Sequence, residues 1–566
     1  MDKETLSRIR NLSASDLFRL KKSLKTSRID GYSLVARALK DCGAKRISSL
    51  GGASIFGIMG ASVKCGIRAI GTRRGFSATI MAGVDNYISG KLVHVACVPS
   101  GPGVTEAVTG VLVARDNNYP LLVVGCCQPL SEQGSGSFQE LDGCAVMKPV
   151  AKWTVRVTDV STIMSTIHQA CELALDGVPG PVYVEVPEDL LSGEALPEEL
   201  GFPRHEVSGH ADKDCIEDIL HLLQSSRRPL LCLGEDLRWG YSKETLEAIV
   251  TGFQVPFMTT PLGRGLLPED HPLCANSIRR KITHRTDCFI LAGAWFDWRL
   301  RKGSELPVGC KVVHVHPDPE LLGRNVPAAV TCRCQPMPFL EQLKKSVPEV
   351  TPNRNFWIEE LSSMKKSPQD PLPLSWKCDL GYVSPRILFP SIRERLHRDH
   401  ILCVDGSILL SLASHYLDSY LPFSRFDPGR NGCIGSGIAQ AMGACLAQPD
   451  RQVVALVGDT GFGMSGMELE TAVRHGMNLK VIIANNSGNS GAINQKTTFG
   501  ENYPERVAQF QDDLPYDKIA MALGVPGWWV EKANDLDVVL DAAFSVKGPS
   551  CVNVRIDPDL PFPVIW

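Results

Sequence analysis

The sequence predicts an α/β protein made of three domains, each a doubly wound parallel β-sheet with helices on both faces. The chain has 566 residues, more than a single hydrophobic core organises, so several domains are expected. Its 50 glycines and 38 prolines are spread along the chain and indicate turns between many short strand–helix units. Apolar runs of strand length alternate with helical stretches, which is typical of parallel strands buried on both faces.

These apolar runs fall into three blocks, and the segments between them define the predicted domains. The first domain covers residues 30–193, beginning with the helical pattern at 32–39. An acidic, proline-containing linker separates it from a second domain at 209–349, and a polar connection leads to a third at 375–566. Residues 1–29 are predicted to be an N-terminal extension with a surface helix. The predicted strands are, in order, 93–98, 120–125 and 182–187; 229–233, 256–259, 288–291 and 311–316; and 401–404, 453–457, 480–484 and 551–556.

Composition and charge exclude several classes of protein. Lys and Arg (59) nearly balance Asp and Glu (62), which argues against a nucleic-acid binder with a basic face. No stretch reaches the length of apolar sequence that a membrane span requires, and the first 29 residues lack the apolar core of a signal peptide. A cytoplasmic location is therefore expected. The 19 cysteines are scattered, many inside apolar runs, and are predicted to be reduced, mostly buried thiols.

Two polar segments that follow neighbouring predicted strands carry the most informative pattern. Gly458-Asp459-Thr460-Gly461 follows the strand at 453–457, and Asn485-Asn486-Ser487-Gly488 follows the strand at 480–484. Adjacent parallel strands would bring Asp459 and Asn486 together at their carboxyl ends, where open α/β sheets bind ligands.

The residue types in these segments suit a divalent cation and a diphosphate. The Asp459 carboxylate, the Asn486 side-chain oxygen and a backbone carbonyl near Gly488 are oxygen ligands of the kind that magnesium prefers. Glycines allow backbone N–H groups to approach phosphate oxygens, and a helix N-terminus favours their negative charge. The structural alternative is a tight turn followed by an unrelated Asn-rich turn. The strand placement of both halves favours the binding site.

Gly458-Asp459-Thr460 through Asn485-Asn486 resembles the cofactor motif of the thiamine-diphosphate enzymes of the acetolactate synthase and pyruvate decarboxylase superfamily. Two segments of the central domain, at 260–265 and 293–298, resemble the oxalyl-CoA decarboxylase and 2-hydroxyacyl-CoA lyase group in particular. The resemblance covers nearly the whole chain after Asp30. It implies a pyrimidine-binding, a central and a diphosphate-binding domain, with thiamine diphosphate and Mg²⁺ as cofactors. It also implies a homodimer or homotetramer with active sites between subunits.

The resemblance also assigns roles to further residues of the third domain. Ile434, in the segment Gly432-Cys433-Ile434-Gly435, matches the apolar residue that props the cofactor into its bent form, and the Gly432 carbonyl would bind the pyrimidine amine. The bend places the amine beside the thiazolium C2 proton. Gly406 and Ser407 match a second diphosphate contact. Ordinary core packing is the alternative for Ile434, and a plain strand–helix turn is the alternative for Gly406 and Ser407.

The first domain departs from the superfamily at one position. Most relatives carry a glutamate that activates the pyrimidine ring, and Gly75 falls at its place in Thr72-Arg73-Arg74-Gly75. No glutamate occurs between Glu4 and Glu106. The enzyme could work with slow cofactor activation, or a water, the substrate carboxylate or another side chain could take over. Arg73 and Arg74 could hold an anionic substrate, or could be surface charge. A third alternative is a paralogue that binds the cofactor and catalyses nothing.

The predicted function is a thiamine-diphosphate-dependent lyase or carboligase that makes or breaks a carbon–carbon bond beside a carbonyl. The donor is expected to be a 2-oxo acid or a 2-hydroxyacyl compound. Phe138 and Gln139 lie in a segment that resembles an active-site segment of the lyase group; Gln139 faces the reacting carbon in this hypothesis, or occupies a structural turn. A nicotinamide dehydrogenase, suggested by Gly435-Ser436-Gly437, is a weaker alternative because a short glycine pattern has little specificity.

Overall fold

The computed structural model describes residues 28–198, 209–349, 353–366, 381–489, 491–501 and 503–559, with the side chains of 491–494 left out. Three parallel β-sheets flanked by helices lie along the chain, and the predicted fold class is confirmed. Nearly all of residues 1–29, including the expected surface helix, lies outside the described residues. Within the described part of the chain, no helix has both the length and the apolar character needed to cross a membrane.

The first domain contains a six-stranded parallel sheet in the order β3-β2-β4-β5-β7-β6. Its first helix is capped by Asp30, whose carboxylate accepts the Ser33 N–H at 2.7 Å. The strand Ile29–Asp30 pairs with Glu194–Ala195, so the domain extends slightly beyond the expected 30–193 at both ends. Its elements are β1 (Ile29–Asp30), α1 (Gly31–Asp41), β2 (Arg46–Ser49), α2 (Ala53–Lys64), β3 (Arg68–Gly71), α3 (Gly75–Ser89), β4 (His94–Val98), α4 (Pro102–Asp116), β5 (Leu121–Cys127), α5 (Gly143–Met147), β6 (Trp153–Arg156), α6 (Ile163–Leu175), β7 (Pro181–Pro187), α7 (Glu188–Ser192) and β8 (Glu194–Ala195).

The central domain contains a five-stranded parallel sheet in the order β10-β9-β11-β12-β13. Its elements are α8 (Lys213–Ser225), β9 (Pro229–Leu233), α9 (Lys243–Gly252), β10 (Phe257–Thr259), α10 (Arg279–Thr283), β11 (Cys288–Ala292), β12 (Lys311–Val315), β13 (Val330–Cys332), α11 (Pro336–Lys344) and α12 (Asn355–Lys365).

Two features of the central domain differ from the sequence prediction. Helix α12 lies beyond the expected boundary at residue 349, yet its Trp357 is fully buried in the central core and donates to the Pro229 carbonyl at 2.9 Å. The domain therefore continues into α12. Cys215 and Cys332 are joined by a disulfide between α8 and β13, so the expectation of reduced thiols is wrong for this pair. The other described cysteines are free.

The third domain contains six parallel strands in the order β15-β14-β16-β17-β19-β18. Counted within each six-stranded sheet, this is the same strand order as in the first domain, 2-1-3-4-6-5. Its elements are α13 (Pro385–Arg395), β14 (Ile401–Asp405), α14 (Ser407–Tyr416), β15 (Arg425–Phe426), α15 (Gly437–Ala447), β16 (Val453–Gly458), α16 (Asp459–Ser465), α17 (Glu468–Arg474), β17 (Leu479–Asn485), α18 (Gly491–Phe499), α19 (Tyr516–Ala522), β18 (Gly527–Val530), α20 (Ala533–Ser545) and β19 (Ser550–Arg555).

The first and third domains share one hydrophobic core, in which α3 of the first domain packs against α15 of the third. Gly443 allows the close approach, because a Cβ at this position would lie 2.6 Å from the Met81 carbonyl oxygen. All residues of α3 from Gly75 to Ile88 are buried. The joint core therefore holds the beginning of α3, with Gly75, in a defined position relative to the third domain.

Candidate active site

The three adjacent strands β14, β16 and β17 end at one edge of the third sheet, and their following loops surround a single cleft. Gly458 at the end of β16 lies opposite Ala484 of β17, so the two predicted polar segments start side by side. The space in the cleft and at its opening to solvent is about 470 Å³. Its lining includes nine of the ten residues predicted to bind the cofactor: Gly406, Ser407, Ile434, Gly458, Asp459, Thr460, Gly461, Asn486 and Gly488.

Asp459 joins the two polar segments. Its carboxylate accepts the Gly488 N–H at 2.7 Å through Oδ2 and the Thr460 N–H at 2.9 Å through Oδ1. Asn486 is buried beside it and lines the same cleft. Burial raises the pKa of the Asp459 carboxyl to about 7, against the opposing effect of these N–H donors. A cation at this carboxylate would favour its ionised form.

The backbone around the cleft can accommodate a diphosphate. Gly406 links β14 to α14 with a φ of +114°, which side-chain-bearing residues rarely adopt. A Cβ at Gly406 would lie 3.8 Å from the backbone nitrogen of Gly458, in the space between the two loops, and a Cβ at Gly458 would have no neighbour within 4 Å. The glycines thus leave open space above backbone N–H groups, as an anion site requires.

Ile434 is half-buried and lines the cleft, so it is not part of the core. The loop before it is held by the first domain, because Asp116 of α4 accepts the Asn431 N–H at 2.7 Å and its side-chain amide at 2.9 Å. Gly432 is exposed on this loop, with a φ of +62°, and does not line the cleft.

The Gly435-Ser436-Gly437 turn binds a carboxylate of the chain itself. The Gly435 and Gly437 N–H groups donate to Asp405 Oδ2 at 2.8 and 3.0 Å. Asp405 is fully buried, and burial raises the pKa of its carboxyl to about 6. A dehydrogenase would need such N–H groups for its dinucleotide, so this geometry argues against the nicotinamide alternative.

Sequence reasoning missed Asp405 and several residues of the cleft. The pattern that could have found Asp405 is an acidic residue directly after an apolar strand, the same pattern that identified Asp459. Asp405 does not line the cleft itself, and the lining residues that were not predicted are mostly apolar: Ile408, Leu409, Ala484, Asn489 and Ile556. Among the described residues, no group of three or more His, Cys, Asp and Glu side chains could hold a metal ion. A cation at Asp459 would therefore depend on amide and carbonyl oxygens.

The three predicted catalytic residues lie in the first domain and do not line the cleft of the same chain. Gly75 is the buried first residue of α3. Gln139 has a φ of +59°, and its backbone packs against Gly101 of the Ser100-Gly101-Pro102-Gly103 turn. Phe138 is 85% exposed. The structure thus brings Gln139 to the glycine turn, whereas the Phe138 side chain points away from the protein.

Arg73 and Arg74 are engaged in contacts within the chain. The Arg73 guanidinium donates to Glu470 at 3.1 Å, and its backbone N–H donates to the buried Glu468 at 3.1 Å. The Arg74 guanidinium donates to Glu106 at 3.0 Å and to the Met464 carbonyl at 3.1 Å. These contacts link the segment before Gly75 to α16 and α17 of the third domain.

Comparisons with known proteins agree with the fold and the cleft. Residues 29–146 match the N-terminal TPP binding domain of thiamine pyrophosphate enzymes, residues 216–343 match their central domain, and residues 406–554 match their C-terminal TPP binding domain. The chain belongs to the thiamine pyrophosphate enzyme family. The predicted family and enzyme class, a thiamine-diphosphate-dependent carbon–carbon lyase or carboligase, are confirmed.

Named relatives span almost the full chain. It is 26% identical to 2-hydroxyacyl-CoA lyase 1 of Homo sapiens, with 94% of this chain and 95% of the relative covered. It is 29% identical to a probable acetolactate synthase of Mycobacterium bovis, with coverage of 94% and 96%. It is 28% identical to a 2-hydroxyacyl-CoA lyase of Arabidopsis thaliana, with the same coverage. The relatives include both a carbon–carbon cleaving and a carbon–carbon forming enzyme.

Proposed function

We propose that this enzyme binds thiamine diphosphate together with Mg²⁺ in the cleft of the third domain, and acts on a 2-oxo acid or a 2-hydroxyacyl compound. The observation that carries the proposal is the hydrogen bond between Gly488 and Asp459, which brings the two halves of the motif together beside Asn486. When bound, thiamine diphosphate supplies a nucleophilic carbon and an electron sink for the bond that is made or broken.

In this proposal, three oxygen donors hold the cation: the Asp459 carboxylate, the Asn486 side-chain oxygen and the Gly488 carbonyl. A hard divalent cation prefers such ligands, and diphosphate oxygens would complete its coordination. Burial of Asp459, which raises the pKa of its carboxyl to about 7, makes the uncompensated charge costly. Cation binding would remove that cost.

The remaining residues of the cleft position the organic part of the cofactor. The open space at Gly406 and Gly458 admits the diphosphate, and the N-terminus of α14 at Ser407 favours its charge. Ile434 presents its side chain to the same cleft and would support the bent cofactor. Gly432 lies outside the cleft lining, two residues before Ile434, and would bind the pyrimidine amine through its carbonyl.

We further propose a homodimer or homotetramer in which the first domain of one copy faces the cleft of another. Met464 and Met467, on and just after α16, are 46% and 48% exposed beside the cleft loops, and Phe138 is 85% exposed. Apolar side chains of this size are typical of residues covered by a partner. Such an arrangement would bring Phe138 and Gln139 to a cofactor that they do not reach within one chain.

The test is mass spectrometry of the products formed from a panel of 2-oxo acids, aldehydes and acyl-CoA compounds. Purified protein is incubated with thiamine diphosphate and magnesium, and D459N protein is the control. We expect wild-type protein to convert at least one donor and D459N protein to convert none. A wild-type protein that binds the cofactor but yields no product across the panel would favour the non-catalytic paralogue suggested by Gly75.

A further inference from the structure

Helix α4 packs tightly against Gly75, the position where related enzymes carry their activating glutamate. A Cβ at Gly75 would lie 3.0 Å from the Gly103 carbonyl oxygen and 3.4 Å from the Ala107 backbone nitrogen. The first of these contacts is closer than ordinary van der Waals packing of a side chain, and the second is at its lower limit. The close position of α4 therefore depends on a small residue at position 75.

The Cβ of Glu106, one turn into α4, lies close to the position that the Cβ of a side chain at residue 75 would take. Its Cβ is 3.4 Å from the Cβ that would be placed on Gly75. Glu106 is also the first glutamate after Glu4 along the chain. The side chain of Glu106 therefore starts in van der Waals contact with the place where a side chain on residue 75 would start.

The Glu106 carboxylate lies on the face of the first domain that meets the cleft loops. Arg74 binds it at 3.0 Å and also donates to the Met464 carbonyl of α16 at 3.1 Å. Met464 in turn packs against Gly435, since a Cβ at Gly435 would lie 3.0 Å from the Met464 Cβ. Gly435 follows Ile434, which lines the cleft. Glu106 is thus linked, through Arg74 and Met464, to the loop that carries Ile434.

A purely structural role explains little of this arrangement. The side chains of Arg74 and Glu106 are 36% and 39% exposed, and an ion pair at that exposure adds little to stability. The Glu106 carboxylate remains accessible to a ligand approaching from outside the first domain.

We propose that Glu106 supplies the carboxylate that this family otherwise places at the position of Gly75, and that it binds the ring nitrogen of the cofactor's aminopyrimidine. This inference rests on the proposed function. In this role the Glu106 carboxyl shares a proton with the ring nitrogen, and Arg74 orients it. Glu106 then replaces the carboxylate that is missing at Gly75, and the enzyme is catalytically competent.

The test compares the affinities of holoenzyme variants for thiamine diphosphate and for an analogue in which that ring nitrogen is replaced by C–H. Calorimetry with saturating magnesium measures both for wild type, E106A and the matched control E470A, whose glutamate pairs with Arg73. We expect wild type and E470A to prefer thiamine diphosphate roughly tenfold, because the analogue cannot share a proton with the carboxyl. E106A should bind both ligands nearly equally.

A second measurement follows exchange of the cofactor C2 proton with deuterium, read by NMR after acid quench. Exchange should slow about 100-fold in E106A and E106Q and stay unchanged in E470A. If E106A does not fold because Arg74 has lost its partner, the R74A/E106A double variant, which leaves no unpaired arginine, is measured in its place. Retained ligand preference and exchange in folded E106A protein would overturn the inference. Wild-type protein that binds neither ligand would instead overturn the proposed function.

Discussion

The Gly488 N–H donates to the Asp459 carboxylate at 2.7 Å, and this contact connects the loops that follow β16 and β17. Gly488 needs to be small as well, because a Cβ there would lie 2.5 Å from the Ala508 carbonyl oxygen. The two residues are 29 positions apart in sequence. Their pairing holds the two strand ends together beside one cleft.

We expect the D459N substitution to abolish stabilisation of the protein by thiamine diphosphate and magnesium. The amide keeps the shape and an acceptor for Gly488 but loses the charge that attracts the cation. For wild type, cofactor at a hundredfold excess over Kd should add about 3 kcal/mol to the free energy of unfolding, seen as a higher Tm. Differential scanning fluorimetry measures this. The exposed D512N variant is the control, and an undiminished shift in D459N would rule out Asp459 as a ligand.

Shortening Ile434 should separate cofactor binding from cofactor activation. In I434A, we expect thiamine diphosphate to bind with an affinity within roughly tenfold of wild type, while product formation falls by a larger factor. The reason is that the diphosphate contacts remain and the support for the bent form is lost. Calorimetry and initial rates measure the two effects. The I434L variant, which keeps the bulk, should retain most activity; equal activity of I434A and wild type would contradict the assigned role.

Gly443 should be essential for packing between the first and third domains. We expect G443A to destabilise the protein by about 1–3 kcal/mol, since the added Cβ would lie 2.6 Å from the Met81 carbonyl oxygen and must push α3 and α15 apart. Urea unfolding measures the change. The matched control is G60A in α2, where a Cβ has no neighbour within 4 Å. That substitution should be neutral or stabilising, because alanine favours helix.

The exposed methionines near α16 should lie in a subunit interface. We expect the double variant M464D/M467D to sediment as a monomer, because two buried carboxylates would oppose association. V538D, at a position that is 73% exposed on α20, is the control and should keep the wild-type assembly. A wild-type protein that sediments as a monomer at micromolar concentration would contradict the proposed oligomer.

The buried His314 ring should reduce the free energy of unfolding as the pH falls below 6.5. Its ring accepts the Gly323 N–H through Nδ1 at 3.0 Å and contacts the Ala294 carbonyl through Nε2 at 2.9 Å, an arrangement that requires the neutral ring. Burial lowers the pKa of this ring from 6.5 to about 4. The unfolded chain therefore binds a proton below pH 6.5 when the folded protein does not, and stability is lost between pH 6.5 and 4. The loss from this ring is on the order of 3 kcal/mol.

Thermal midpoints measured from pH 8 to pH 4 test this expectation. The H314Q variant should show a shallower fall than wild type, and H221Q, at an exposed position, should match the wild-type slope. The pH dependence of the thermal midpoint should not vanish in H314Q, because burial also lowers the pKa of the His400 ring to about 4. A wild-type slope in H314Q would exclude His314 as a contributor.

Most strands that were predicted from sequence are long apolar ones inside the sheets; β10, a short edge strand of the central domain, is an exception. Strand β9 begins and ends at the predicted residues, and β5 and β17 differ by only one or two. The unpredicted strands are short or carry polar residues. Strand β2 reads Arg46-Ile47-Ser48-Ser49, and its Ser48 is buried because the hydroxyl donates to the Ala78 carbonyl at 2.9 Å. That partner is 30 residues away, so no local pattern indicates that the serine is inside.

The sequence by itself determined the three α/β blocks, most of the long apolar strands and the two halves of the cofactor motif, because each depends on residues that are close together in the chain. The tertiary structure decided which distant residues meet. It showed that Asp405 occupies the Gly435 and Gly437 N–H groups, and that Glu106 of α4 adjoins Gly75. These relationships follow from the packing of whole helices and strands. The free energy of that packing is spread over the shared core and leaves no pattern in any one segment.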